Sequence, residues 1–376
     1  KAGVDIKTDV TNDSDTEATG VSVKSTVYNK ESDVISTQTD DITVAAGKTE
    51  TISQSVDVAN PKLWSVDSPN LYWVRTEIIQ NGKVVDRTDS RFGIRYIATN
   101  PNSGFYLNGV HTKLNGVCEH SDLGSLGMET YQAAVDRRIR TLKKYGVNAI
   151  RTSHNPVSPE FIEACDRLGM LVFEEAFDQW LYSKNSDDYH NYFNKAADGK
   201  TVVFDKAGND NTNNDTSYIE VKREDLQSNA ERDIKAMVDR DKNAPCIFAW
   251  STGNEIYDAR YKHGENTLDM LTGWIKEIDT TRPVAACPPT WDNYWANNAQ
   301  QEKHLAKAEM SGFNYATGQY DGAHSRYPNM VIFGSETVSA YYYRGVYFLE
   351  GEGSGDRCNE YPTYWTFSSA TASLEA

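Results

Sequence analysis

Glu255 and Glu336 each follow a short apolar run, IFAW (247–250) and VIF (331–333), and then small or polar residues. An apolar run that gives way to polar residues reads as a strand leaving the core. Both carboxylates are therefore expected at the mouth of whatever those strands enclose. Two carboxyl groups flanking one site suit cleavage of a glycosidic bond: one protonates the departing oxygen, and the other attacks the anomeric carbon or activates water. A retaining course needs them about 5 Å apart. Asn254, next to Glu255, is placed to hold a sugar 2-hydroxyl. Tyr315 is placed to donate to Glu336 and keep it ionised, because hydrogen bonding favours the charged form. Taken singly, a Glu at a strand end is more often an ion-pair or cap partner. His120 alone reads equally as a satisfied buried histidine, and Arg151 as a clamp on Glu119 or Glu174. The joint pattern carries the reading.

The residues from Glu119 to Glu336 close a series of candidate strands. HTKLNGVCEH (111–120) ends in Glu119 and His120, and VNAIRTSH (147–154) in Arg151 and His154, with Asn155 next. MLVFEEAF (170–177) carries Glu174 and Glu175 and leads to Asp178; CIFAWSTGNE (246–255) ends in Asn254 and Glu255. PVAACPPT (283–290), MSGFNYA (310–316) and MVIFGSET (330–337) make seven strands. Amphipathic helices are expected over 128–146, 158–169 and 223–242, each leading into a strand. That order indicates an α/β fold with a buried parallel sheet, and a (β/α)8 TIM barrel fits better than an open doubly wound sheet. Working residues of such a barrel sit at the C-terminal ends of its strands. No glycine-rich phosphate loop follows any strand, which removes a nucleotide reading.

Residues 1–97 follow a different period. VSVKSTVYN (21–29) puts Val21, Val23, Ser25 and Val27 on one face, and TETISQSVDV (49–58) and LYWVRTEII (71–79) alternate likewise. The Asn-Gly pair in QNGK (80–83) signals a tight hairpin. These features indicate an immunoglobulin-like β-sandwich of about 100 residues. The 376 residues thus divide into a sandwich, 1–97, and a barrel domain, 98–376. The formal charge of −16 repels phosphate backbones and anionic membranes, so nucleic acid is not an expected partner. No apolar run has the roughly 20 residues that cross a bilayer, and no leader pattern opens the chain. Five cysteines without a C-x-x-C or Cys/His cluster argue against a disulfide framework or zinc. The Asn/Asp-rich stretch 205–216 reads as a loop.

NGVCEHSDLGSLG, VNAIRTSHNPVSPEFIEACDRLGMLVFEEAFDQW, IFAWSTGNE and IFGSET closely resemble the β-galactosidase/β-glucuronidase group, glycoside hydrolase family 2. PKLWSVDSPNLYWVRTEI and SRFGIRYI resemble the end of that family's immunoglobulin-like domain and its junction with the barrel. The resemblance, from about residue 20 to 348, implies a retaining exo-β-glycosidase acting on a carbohydrate, with Glu255 as acid/base and Glu336 as nucleophile. It further implies that His120, Arg151, His154, Asn254 and Tyr315, with Asp178, line the subsite for the terminal sugar. GVCEHSDLGSLG and GSETVSA resemble the β-galactosidase branch; β-glucuronidase or β-mannosidase activity, or a non-catalytic carbohydrate-binding fragment, are the alternatives. No cofactor is expected. Metal-dependent β-galactosidases carry a Glu and a His where Gln179 and Leu181 stand here, so no metal is expected. The family's jelly-roll sugar-binding domain does not precede Lys1, and no eighth strand is recognisable in YPTYWTFSSATASLEA (361–376). A C-terminally truncated barrel is therefore expected, with further segments in the parent chain. A homo-oligomer, and either a cytoplasmic or a secreted setting, are compatible with the sequence.

Overall fold

The structure, a computed structural model, describes residues 1–180, 229–290 and 298–337. Strand β1 (Ala2–Thr11) pairs antiparallel with β4 (Thr49–Val58). Facing this pair, β2 (Ala18–Asn29) lies between β3 (Val34–Val44) and β5 (Tyr72–Gln80), and β6 (Lys83–Phe92) flanks β5. The expected alternation holds: Val21, Val23, Ser25 and Val27 are all buried. Asn81 (φ 53°) and Gly82 (φ 76°) form the two-residue turn between β5 and β6, with the positive φ at both positions that such a hairpin requires. Inside the sandwich, Ser25 Oγ donates to Gln54 Oε1 at 2.6 Å. Gln54 Nε2 donates to Val23 O at 3.0 Å and to Asp40 Oδ2 at 2.8 Å. A buried amide costs stability unless its donors are met, and here both are.

A small antiparallel sheet, β7 (Ile97–Asn100), β8 (Gly104–Leu107) and β9 (Val110–His111), follows the sandwich. The sequence pattern places His111 in the first barrel strand. A second Asn-Gly turn, Asn108–Gly109 with φ 54° and 79°, instead folds it back onto Tyr106. The barrel proper begins at β10 (Gly116–His120). It continues through α1 (Gln132–Lys144), β11 (Ala149–Ser153), α2 (Pro159–Leu168), β12 (Leu171–Glu175), α3 (Asn229–Asp241) and β13 (Ile247–Asn254). Then come α4 (Lys262–Ile278), β14 (Val284–Cys287), α5 (Ala299–Lys307), β15 (Met310–Asn314), α6 (Tyr320–Arg326) and β16 (Ile332–Glu336). The seven strands β10–β16 pair in chain order, each parallel to the next. Every residue of β11 to β15 is buried, as strands covered on both faces must be. The sheet curls until Cys118 Sγ of β10 lies 3.5 Å from Ser335 O of β16. The expected absence of an eighth strand in 361–376, the loop 205–216 and the start of the 223–242 helix fall outside the described residues.

Local sequence explains the helix ends. Ser158 caps α2 through its hydroxyl and Phe161 N, Pro159 occupies the first turn, and Gly169 ends the helix at φ 75°. A β-carbon on Gly169 would lie 2.2 Å from Val66 O, so glycine is required there twice over. Helices α4 and α6 are not legible from periodicity alone. The first carries Gly264 and Gly273, the second Gly322, and glycine weakens any helix signal.

The sandwich is fastened to the N-terminal face of the barrel. Trp64 is fully buried, and its Nε1 donates to Asp166 O at 2.8 Å. Arg91 Nε and Nη2 donate to Asp166 Oδ2 at 3.0 and 2.9 Å, while Cys246 N donates to Oδ1 at 3.0 Å. Asp166 is completely buried, and removing one partner of a buried pair leaves a charge uncompensated. Arg91→Met is expected to cost about 3 kcal/mol, read as a lower denaturant midpoint, and adding Asp166→Asn should recover part of it. An unchanged midpoint in R91M would show that sandwich and barrel are held together without this pair.

Candidate functional site

The chemistry-bearing side chains converge at the C-terminal ends of β10–β16 because a parallel barrel points every strand the same way. Arg151, on β11 and only 4% exposed, is the centre. Its Nε and Nη2 donate to Glu175 Oε2 at 3.1 and 2.7 Å. Nη2 also donates to Asn254 Oδ1 at 2.9 Å, and Nη1 donates to Glu336 Oε1 at 2.6 Å. Asn314 Nδ2 donates to Asn254 Oδ1 at 3.3 Å and to Glu255 Oε1 at 3.2 Å. Glu255 and Glu336, from β13 and β16, are thus joined by one chain of hydrogen bonds. Tyr315 Oη donates to the other oxygen of Glu336, Oε2. Glu255 and Tyr315 both leave their strands with left-handed backbones, φ 46° and 54°. Residues without glycine's freedom adopt that region at a cost and cluster at functional sites.

His154 Nδ1 lies 2.6 Å from Glu175 Oε1, and its Nε2 lies 3.7 Å from Glu336 Oε1. His120 is exposed and meets the His154 ring edge-on at 5.5 Å. Asp178 Oδ1 accepts from Asn254 Nδ2 at 3.2 Å. All eight residues expected at the site therefore occupy one end of the barrel, seven in direct hydrogen-bonded or ionic contact and His120 at the rim. A cavity of about 430 Å³ lined by Arg151, Glu336, Phe173 and Phe248 lies within the barrel, and one of about 530 Å³ lies between His154, Asp178 and the outer helix α3, where Ile234, Met237 and Arg240 line it. Among the described residues no cluster of three or more His, Cys, Asp or Glu side chains is arranged to hold a metal, and Leu181 lies outside them.

The clamp expected of Arg151 is corrected. It grips neither Glu119, which pairs with Arg138 at 2.7 Å, nor Glu174, which contacts Arg240 at 3.3 Å; it grips Glu175 and Glu336. Strand parity is the reason. Phe173, in ring contact with Phe248 and Phe333, faces the barrel interior, so Glu175 two residues on does too, while Glu174 faces the helices. Glu175, Asn314 and Ser335 fall at the expected strand ends without a role read from the sequence, and Ser251 is not among the expected residues. Counting by twos from Phe173 tells Glu175 from Glu174. The serines, which bond Glu175 and Asn314 at 2.6 Å each, carry no signal of their own.

Environment separates the two adjacent carboxyls. Burial alone would raise Glu175, but the Arg151 charge and the His154 and Ser251 hydrogen bonds hold it below the ordinary glutamate value. Burial also dominates at Glu174; with the Asp241 carboxylate close by, it pushes that carboxyl well above its ordinary value. Burial and the charges of Glu336 and Glu255 hold the Tyr315 phenol far above its ordinary value, so it remains a donor.

An α/β barrel with carboxylates at its strand ends, preceded by a β-sandwich, is an arrangement that suits glycoside hydrolysis. The family model described as glycosyl hydrolases family 2, TIM barrel domain, matches residues 99–310, and the model described as glycosyl hydrolases family 2 matches residues 1–95. The chain belongs to glycoside hydrolase family 2. It is 30% identical over 408 aligned positions to a β-galactosidase of Bacteroides ovatus, covering all of this chain and 42% of that protein. A protein of Formosa agariphila, provisionally named a β-glucuronidase, is 36% identical over 230 positions, 61% of this chain and 18% of the relative. A crystal structure of a glycosyl hydrolase family 2 member from Bacteroides cellulosilyticus superposes with a TM-score of 0.74 at 31% identity, covering 90% of this chain and 38% of the other. The chain thus spans less than half the length of these relatives.

Glu174 binds its proton more tightly when folded than when unfolded, so its contribution falls as pH rises above about 4.5, by at most about 1.4 kcal/mol per pH unit. Glu175 behaves oppositely: its contribution is present above that pH and lost below it. Melting temperatures should therefore favour Glu174→Gln over wild type increasingly from pH 5 to pH 8. A difference that stays flat across that range would contradict the protonated Glu174.

Proposed function

We propose that this chain is the catalytic part of a retaining exo-β-glycosidase acting on terminal β-D-galactosides. Glu336 is the nucleophile and Glu255 the acid/base. The observation that carries the reading is the hydrogen-bonded circuit from Glu336 through Arg151, Asn254 and Asn314 to Glu255, which ties both carboxylates to one sugar-sized region. In the first step Glu336 attacks the anomeric carbon while Glu255 protonates the departing oxygen. In the second, Glu255 takes a proton from water, which attacks the same carbon and releases Glu336. Arg151 and Tyr315 stabilise the carboxylate that leaves in the second step. Asn254 spends its Oδ1 on Arg151 and Asn314 and one amide N–H on Asp178, leaving its second N–H for the sugar. His120, His154 and Asp178 serve the remaining hydroxyls.

The Bacteroides ovatus relative, matched along the whole chain, supports the galactoside. The Formosa agariphila match favours a second reading, a β-glucuronide, whose carboxylate would need a cationic partner. Initial rates on the two aryl glycosides, measured with the intact protein, decide between them.

Replacing Glu336 by Gly and supplying azide should yield the α-glycosyl azide, whereas Glu255→Gly with azide should yield the β-anomer. Identical anomers from both variants would refute the assignment. Proton NMR should find the β-anomer as the first product of the wild type. Tyr315→Phe removes a hydrogen bond to a charged group, a change of about 1.5–3 kcal/mol. That corresponds to a roughly 10- to 150-fold loss in kcat, with the acid limb of kcat/KM moving to higher pH.

A further inference from the structure

We infer that Glu175, which reaches no substrate, is a positioning residue that aims Arg151 and His154 and tempers the charge that Arg151 presents to the nucleophile. The inference rests on the retaining-hydrolase reading above and extends it to a residue with no role in bond making. Glu175 is completely buried. Its Oε2 accepts from Arg151 Nε and Nη2 and from Ser251 Oγ at 2.6 Å; its Oε1 faces His154 Nδ1 at 2.6 Å. Its own backbone N–H donates to Thr152 Oγ1 at 2.9 Å, which fixes the turn of the strand beneath it. Complete burial behind these four contacts keeps the carboxylate out of reach of a ligand.

Three consequences follow for the groups that do face the sugar. A guanidinium whose Nε and Nη2 are both committed to one oxygen cannot rotate, so Nη1 is left directed at Glu336. A carboxylate partner on Nδ1 selects the histidine tautomer with its proton there, which leaves Nε2 as the ring atom facing the nucleophile. The third consequence is electrostatic. Glu336 is bonded by Arg151 from β11 and by Tyr315 after β15, and His154 Nε2 lies 3.7 Å from it. The Cys118 thiol of β10 feels its charge, and Glu255 is joined to it through Asn314, Asn254 and Arg151. Arg151 is the fixed cation of this set. If its charge acted on Glu336 alone, it would stabilise the free carboxylate strongly and blunt its attack. Glu175, bound to the same guanidinium, takes up part of that charge. Burial opposes the charge on Arg151, yet the neighbouring anions raise its proton affinity well above the ordinary value, so it is a permanent cation shared between two carboxylates.

The test uses the intact protein with an aryl β-glycoside. Glu175→Gln keeps the shape of the side chain but removes its charge. The expected result is a kcat lower by about 10²-fold, the usual cost of misplacing catalytic groups by about 1 Å, with KM changed less than threefold. The acid limb of kcat/KM should move to lower pH, because Glu175 then no longer offsets the Arg151 charge beside the nucleophile. Glu175→Asp should restore the position of that limb. A kcat within threefold of wild type overturns the inference, and so does a large loss of kcat with the acid limb unmoved, since packing alone would produce that. Should E175Q show no cooperative melt, Ser251→Ala removes one bond from the same carboxylate, and a pH profile identical to wild type there overturns it equally. Glu336→Gln run alongside separates the two levels: full turnover in that variant rejects the hydrolase reading itself, whereas its inactivity beside an unaffected E175Q rejects the positioning role alone.

Discussion

A guanidinium buried between two carboxylates inside a strand barrel is the interaction on which the site depends. Arg151 is almost wholly removed from water, and burying such a charge is tolerated only when opposite charges and hydrogen bonds replace its hydration. Glu175, Asn254 and Glu336 supply that replacement from three strands, β12, β13 and β16. Arg151 and Glu175 meet across neighbouring strands, whereas Arg151 and Glu336 are 185 positions apart on β11 and β16 and meet only once the sheet has curled. The second ion pair is therefore a readout of barrel closure, and the closure in turn sets how Glu336 and Glu255 stand towards each other.

The backbone contributes at the point where each strand ends. The β13–β14 and β15–β16 ladders slip in register, between Ser251 and Asn254 and between Phe313 and Asn314. The next residues, Glu255 and Tyr315, turn into the left-handed region. Irregularities of this kind re-aim side chains beside active sites, and here they bring an acid and a phenol out of the strand direction and over the barrel mouth. The opposite end of the barrel serves a structural contact. There Trp64, Arg91 and Asp166 bind the sandwich to the barrel, consistent with a division between a working face and a stabilising face.

Much of this was legible in the sequence because it rests on local rules. Period-two alternation located the sandwich strands, the Asn81–Gly82 pair its hairpin, and apolar runs ending in polar residues the barrel strands. The same logic assembled Glu255, Glu336 and their neighbours as one constellation. What escaped was decided by parity or by tertiary contact. Glu174 and Glu175 are chemically the same residue in the same strand, yet one faces Arg240 and the other Arg151, a distinction visible only when the strand is phased on Phe173. The Asn108–Gly109 turn was overlooked beside the more obvious hairpin, and so the first barrel strand was started too early. Ser251 and Ser335 have no pattern to announce them, since a hydroxyl earns its place there only through the carboxylate or amide it meets.

The charge of the assembled site bears on what can enter it. Among the described residues, Glu175 and Glu336 bond the Arg151 guanidinium, and Glu255 and Asp178 join them through Asn314 and Asn254, in a chain that is itself acidic. Even with Glu255 set aside as the proposed acid, the remaining carboxylates outnumber the Arg151 cation. A neutral pyranose is indifferent to that excess and exchanges its water contacts for oriented acceptors. A substrate bearing its own carboxylate must overcome repulsion in a region of reduced dielectric, where unscreened charges act strongly. On the proposed reading, a neutral sugar suits the described side chains at the barrel mouth, and the reason lies in the same carboxylates that hold Arg151.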